Sequence, residues 1–278
     1  LRTALEMAAR EGETVCLNLE ASRFTHTTCN VVARYIPKGR CDGKIVIGGH
    51  YDTAPGIPGA ADNGTGTALT LYLASRLRAC LSTYAVDFVA FGAEEYAAMG
   101  GKHYVARHED ELDSIRVMLN LDDIGTLLGR PEARIGHSSS LRALVRKHAR
   151  NGGIRVTSFR GGSDNAAFHR KGIPTSWFYD GGSDTGVRHF PLHSPQDAIG
   201  LIDWKRLAAV ARDLEGLCAS LLTEGLSPEP TASIIDFETD DLAATTELVR
   251  KVWTMGLACT RERIYGRPYG GSWQDRIE

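Results

Sequence analysis

Residues Lys44 to Gly66 read KIVIGGHYDTAPGIPGAADNGTG, and the fold is decided there. Lys44 to Gly48 is a short β-branched run, the pattern of a buried strand. Gly48-Gly49 closes it, and His50 and Asp52 follow where the strand opens into a loop. Asp62 and Asn63 come next, then a glycine-spaced turn into an apolar helix. In that helix, between Thr65 and Leu81, Leu69, Leu73 and Leu77 recur every four residues. Imidazole and carboxylate at the carboxyl end of a central strand suit a hard-to-borderline divalent metal. Such a site needs further carboxylates and a second histidine downstream.

The chain supplies them. Tyr84 to Phe91 (YAVDFVAF) reads as a buried strand and is followed by Gly92-Ala93-Glu94-Glu95. A helix is expected from about Ala97 to His108. The strand Ile115 to Leu121 then ends in Asn120-Leu121-Asp122. Ser138 caps a helix running to about Arg150. Ile154 to Ser158 and Ile173 to Phe178 read as further strands, with a short helix starting near Asp164 between them. A Gly- and Asp-rich loop, Asp180 to Pro195, carries His193, and a last amphipathic helix covers Ile202 to Leu222.

Upstream, Leu1 to Arg10 has helical periodicity, and Val15 to Leu19 alternates as a strand. Thr27 to Ile36 is a second β-branched run. Pro37-Lys38-Gly39 turns it back toward Lys44, which predicts a hairpin. Strands alternating with helices predict an α/β three-layer sandwich, its central sheet mixed but mostly parallel. Residues 1–226 are expected to form one catalytic domain. Ser227-Pro228-Glu229-Pro230 reads as a linker into an extension, 227–278, with one helix from Asp241 to Cys259.

Composition narrows the function. A formal charge of −2 over 278 residues gives no electrostatic reason to expect nucleic acid. No window approaches the ~18 unbroken apolar residues of a membrane span. Cys16, Cys29, Cys41, Cys80, Cys218 and Cys259 form no CxxC pair, which argues against a zinc knuckle and for core thiols. A disulfide stays open, and the compartment with it.

His50/Asp52, Glu94/Glu95 and Asp122/Asp123 all fall at strand ends, where ligands bind in sheets of this kind. A lone aspartate there is a cap or a loop residue more often than a ligand. Several in consistent positions are hard to explain as caps.

Together GGHYDT, ADNGTG, GAEE, NLDDIG and HSPQD resemble the metal motifs of the two-zinc aminopeptidases, metallopeptidase family twenty-eight of clan MH, from about Thr14 to Leu222. The resemblance implies a zinc-exopeptidase fold, two zinc ions per chain and a peptide substrate with a free N-terminus. It implies His50 and Asp122 as terminal ligands of one zinc, Glu95 and His193 of the other, and Asp62 as the bridge. Glu94 matches the general base, and Asp52 would orient the His50 imidazole. Asn63 should not be a ligand.

The match loosens at Gly162-Ser163-Asp164-Asn165, where many relatives carry Ser-Asp-His. Asp164 is a substrate-pocket candidate or a helix cap. Tyr179 and Arg160 are candidates for oxyanion stabilisation. Arg188 and His189 could meet a substrate carboxylate, or simply be solvated. Asp197 is expected to tie down the loop carrying His193, and Asp123 to point away from the metal. His26, His103, His108, His137, His148 and His169 read as solvated or capping. Leu1 to Glu20 resembles the segment that comes after an inserted protease-associated domain in many relatives.

Alternatives stay open at this point. Glutaminyl cyclases share the motifs but hold one zinc, here through Asp62, Glu95 and His193. A carboxypeptidase would use Arg160 and Arg188 as a carboxylate clamp. A non-catalytic ectodomain would have lost ligands or the base, and a serine hydrolase would need a GxSxG elbow that this chain lacks.

Overall fold

A computed structural model of the chain describes residues 25–80, 83–127, 129–159, 162–181 and 192–227. Its organising strand is β2 (Gly43–His50), buried along its whole length. Alternate side chains feed opposite faces: Ile45 and Ile47 join one apolar cluster and Val46 the other. A strand buried on both faces needs neighbours on both edges, and β2 has β3 (Tyr84–Phe91) and β4 (Ile115–Leu121), both parallel to it. With β1 (Val31–Tyr35), β5 (Arg130–Gly136), β6 (Arg155–Ser158) and β7 (Thr175–Gly181), the sheet has the order β1-β3-β2-β4-β7-β5-β6.

The expected hairpin between the first two strands does not form. β1 pairs antiparallel with β3 instead. It is a largely exposed edge strand, so it could not complete the burial of β2. Arg34 locks it to its true partner, both arms of the guanidinium donating to Asp87 on β3 at 2.7 Å. Seven residues, Ile36 to Asp42, are ample to step over one strand, since neighbouring strands lie ~4.8 Å apart. The sheet is mixed, as expected, but at two places: β1 against β3, and β5 against β7.

β5 carries no strand signal in the linear pattern, because Arg130, Pro131, Glu132 and Arg134 mask it. Only Ala133 and Ile135 go to the core. Glu132 and Arg134 turn to the other face, where they meet Tyr179 and Trp177 of β7.

Helices cover both faces. α1 (Gly66–Arg76), α3 (Ser139–His148) and α5 (Trp204–Glu224) pack on one side through Leu73, Leu141, Leu214 and their neighbours. α2 (Met99–Arg107) and α4 (Asn165–His169) pack on the other through Tyr104 and Phe168. Ser138 caps α3 as expected, accepting from the Leu141 amide. No described helix is long and apolar enough to cross a membrane.

The chain divides into two units, Thr27–Ile234 and Leu1–His26 with Ile235–Glu278, and the elements above belong to the first. The expected Leu1–Arg10 helix, Val15–Leu19 strand and Asp241–Cys259 helix lie outside the described residues. Of the described cysteines only Cys218 is a core thiol; Cys29 and Cys41 are exposed and Cys80 is half-buried, all four free.

Candidate metal centre

The carboxyl ends of β2, β3 and β4 bring three chain segments to one rim. Close approach is what the glycines there permit. A Cβ on Gly49 or on Gly66 would overlap the Leu121 carbonyl at the end of β4. Asn63 then staples the segments together: its amide donates to Leu121 O at 2.9 Å, and its Oδ1 accepts from the amides of Gly66 and Asp123. Its side chain is spent on the backbone.

Two triads result, His50 with Asp62 and Asp122, and Asp62 with Glu95 and His193. His50 Nε2 lies 3.1 Å from Asp62 Oδ1 and 3.1 Å from Asp122 Oδ1. His193 Nε2 lies 3.0 Å from Asp62 Oδ2 and 3.0 Å from Glu95 Oε2. Asp62 thus offers one oxygen to each side. The structure brings all five sequence-predicted ligands together, with Glu94 and Asp52 beside them.

Glu94 stands outside both triads, its Oε2 3.9 Å from His50 Nε2. Its side chain is 19% exposed against 5% for Glu95. Burial, reinforced by the Asp122 charge, pushes Glu94 up to about 7. The Asp52 carboxylate accepts from the amides of both Glu94 and Glu95, at 3.1 and 3.3 Å. The His50 ring meets Asp52 through the backbone, with Nδ1 3.0 Å from Asp52 O; the nearer carboxylate oxygen is 3.6 Å away. Asp52 therefore sets the two glutamates as well as the imidazole.

The donor set fits a pair of divalent cations. Burial disfavours charge on His50, yet Asp122, Asp52 and Asp62 together raise its pKa. Burial and the Asp62 charge raise Glu95 as well. Glu95 Oε1 is buried with no hydrogen-bond partner among the described residues, a costly state for an anion. Four clustered carboxylates, Asp62, Glu94, Glu95 and Asp122, call for positive charge, and two dications would balance them.

Asp197 is buried, and it acts further away than expected. Its carboxylate accepts from the amides of Ala61 at 2.7 Å and Asp62 at 3.1 Å. The turn that carries His193 is thereby joined to the segment that carries Asp62. Asp123 belongs to neither triad; burial and the Asp122 charge hold its carboxyl well above the usual range.

Asp164 does not cap α4 with its side chain. It is fully buried and accepts from the Gly101 amide at 2.6 Å. Burial, then the Glu94 charge, pushes it up to about 8. Tyr179 is half-buried and directed at β5, its hydroxyl donating to Glu132 at 3.0 Å. Arg160, Arg188 and His189 lie outside the described residues.

Two features escaped the sequence reading. The Trp177 indole donates to Asp122 Oδ2 at 3.2 Å; in the sequence it is one more aromatic in a strand. His169 is buried rather than solvated, its ring stacked between Phe159 and His137 at centroid separations of 3.8 and 3.9 Å. Burial, followed by His137 and Arg170, pushes it down to about 4. His108 and His148 are also engaged, at Tyr104 O and Ser220 respectively.

Carboxylates and imidazoles gathered outside the ends of parallel strands define a candidate metal centre on an α/β fold. Residues 30–216 match the model of Peptidase family M28, and the chain belongs to that family. Aminopeptidase YwaD of Bacillus subtilis (strain 168) is 34% identical over 199 residues, covering 68% of this chain and 44% of that protein. Leucine aminopeptidase 2 of Arthroderma otae is 30% identical over 182 residues, 60% of this chain and 37% of that protein. The chain thus spans less than half the length of these curated relatives. The solved structure of BSAP, a zinc aminopeptidase from Bacillus subtilis, superposes with a TM-score of 0.64 at 30% identity, over 74% of this chain and 52% of that one. An Acidobacteriales bacterium glutaminyl cyclase shares the fold, with a TM-score of 0.54 at 24% identity over 70% of this chain and 73% of that one.

Proposed function

We propose that this chain carries the catalytic domain of an aminopeptidase that works with two zinc ions, within residues 1–226, followed by a linker and extension. One observation carries the reading: Asp62 turns one carboxylate oxygen to each of two complete triads. Zinc bound by His50, Asp62, Asp122, Glu95 and His193 would lower the pKa of an attacking water toward ~7 and polarise the scissile carbonyl. Glu94, a member of neither triad and more exposed than Glu95, would take the proton from that water and deliver it to the leaving amine. A neighbouring dication favours the ionised carboxylate, which keeps Glu94 competent as a base at neutral pH. Asp52 holds the backbone of both glutamates, so that base and ligand keep their separate directions.

The choice of a peptide with a free N-terminus rests on the aminopeptidase relatives. The single-zinc cyclase reading would leave His50 and Asp122 without an ion, although they complete a triad of their own.

The test is zinc content per chain together with hydrolysis of aminoacyl-nitroanilides before and after chelation. We expect about two zinc per chain, activity lost to the chelator, and activity restored with metal. One zinc with cyclisation of N-terminal glutamine, and no peptidase activity, would overturn the reading in favour of the cyclase.

A further inference from the structure

Asp122 uses its two oxygens differently. Oδ1 faces His50 Nε2 at 3.1 Å, on the cation side, while Oδ2 accepts from the Trp177 indole at 3.2 Å. Trp177 lies on β7 in register with Asn120 of β4, so its donor arrives from the neighbouring strand.

The indole is itself held on the face of its ring. It stacks on Tyr179 at 4.3 Å with the planes 18° apart, and the Tyr179 hydroxyl is tied to Glu132. The Arg134 guanidinium lies over both rings, 5.2 Å from the Trp177 centroid and 4.6 Å from that of Tyr179. A cation on the ring face is attracted by its π density and draws on it, which strengthens the indole N–H as a donor. In the other triad no indole reaches the terminal carboxylate among the described residues: Glu95 has Oε1 buried and without a hydrogen-bond partner there.

We propose that Trp177 is a positioning residue for Asp122. Its N–H holds Oδ2, leaves Oδ1 to face the triad of His50 and Asp62, and pre-organises that half of the centre alone. The inference rests on the two-metal reading above and goes beyond it, because it makes the two halves unequal.

Trp177→Phe keeps one aromatic ring for the stack on Tyr179 and deletes the donor together with the five-membered ring that carries it. Zinc binding is measured by competition with a chromophoric chelator, with circular dichroism to confirm folding. Loss of a hydrogen bond to a metal ligand costs typically ~10–100-fold in affinity. We expect that loss at one of the two sites, with the other changed by less than about threefold. Trp204→Phe, at an exposed tryptophan at the start of α5, should leave both affinities in place. Equal weakening of both sites in Trp177→Phe, or of neither, overturns the proposal.

A second measurement does not depend on that variant. With Trp204, Trp253 and Trp273 replaced by phenylalanine, Trp177 is the sole indole. Its emission should shift as zinc binds, because the charge on its hydrogen-bond partner changes. Zinc binding with unchanged Trp177 emission overturns the proposal. Wild-type protein holding one zinc would overturn the two-metal reading; a Trp177→Phe variant that then kept the affinity for that ion would overturn the role of Trp177 as well, and a ~10–100-fold loss would uphold it. Protein that binds no zinc overturns both.

Discussion

Asp197→Ala should damage the metal centre from a residue that touches no metal. The carboxylate is 1% exposed and accepts from two backbone amides, Ala61 at 2.7 Å and Asp62 at 3.1 Å. Removing it strands two buried donors, at ~1–3 kcal/mol each, so the loss is about 4 kcal/mol. That is a large share of the ~5–15 kcal/mol by which domains are ordinarily stable. Asp197→Asn keeps one acceptor oxygen but sets an NH₂ group against the second amide, and should cost about half as much.

Because the freed amide belongs to Asp62 itself, both zinc sites should weaken together, unlike the one-sided effect expected for Trp177→Phe. Urea unfolding of the metal-free protein gives the stability term, and chelator competition gives the two affinities. Asp197→Ala within about 1 kcal/mol of wild type would refute the energetics, given the two donors at stake. A loss confined to one site would refute the linkage to the shared ligand.

Two further outcomes concern the glutamate pair and a buried histidine. Glu94→Gln should keep both zinc ions and lower kcat by ~10²–10⁴, whereas Glu95→Gln should lose one zinc; metal analysis beside kcat distinguishes them, and like behaviour in the two variants would contradict the geometry. His169 is pushed by burial, then by His137 and Arg170, from its ordinary 6.5 down to about 4. The folded state therefore refuses a proton that the unfolded state accepts. Its contribution to stability is complete above ~6.5 and is lost as pH falls toward ~4, on the order of 2 kcal/mol after allowance for solvent screening. Denaturant melts between these pH values should show that loss in wild type, and a smaller one in His169→Phe.

Much of the centre is legible in the sequence because the relevant chemistry is local. A β-branched run ending in His50, or an apolar strand ending in Glu94-Glu95, announces both an element and its exposed end. The Ile115–Leu121 strand is found at the expected residues and presents Asp122 at its end. Ser138 sits where a cap is needed. β5 is missed because the side chains on its other face, Glu132 and Arg134, are charged, and two core residues, Ala133 and Ile135, are too weak a period to outweigh them.

By itself the sequence determined which side chains could hold a cation and that strands and helices alternate around them. These follow from residue chemistry and from periodicities only a few residues long. The tertiary structure alone decided who meets whom. It placed β3 between β1 and β2, since strand partners are chosen by the burial of the whole sheet rather than by the turn between neighbours. It buried His169 between two rings, aimed Asp197 at the amide of Asp62, and turned the Trp177 N–H onto Asp122. Each of these depends on the direction of a donor, an acceptor or a ring across segments far apart in the chain, and direction in space has no linear signature.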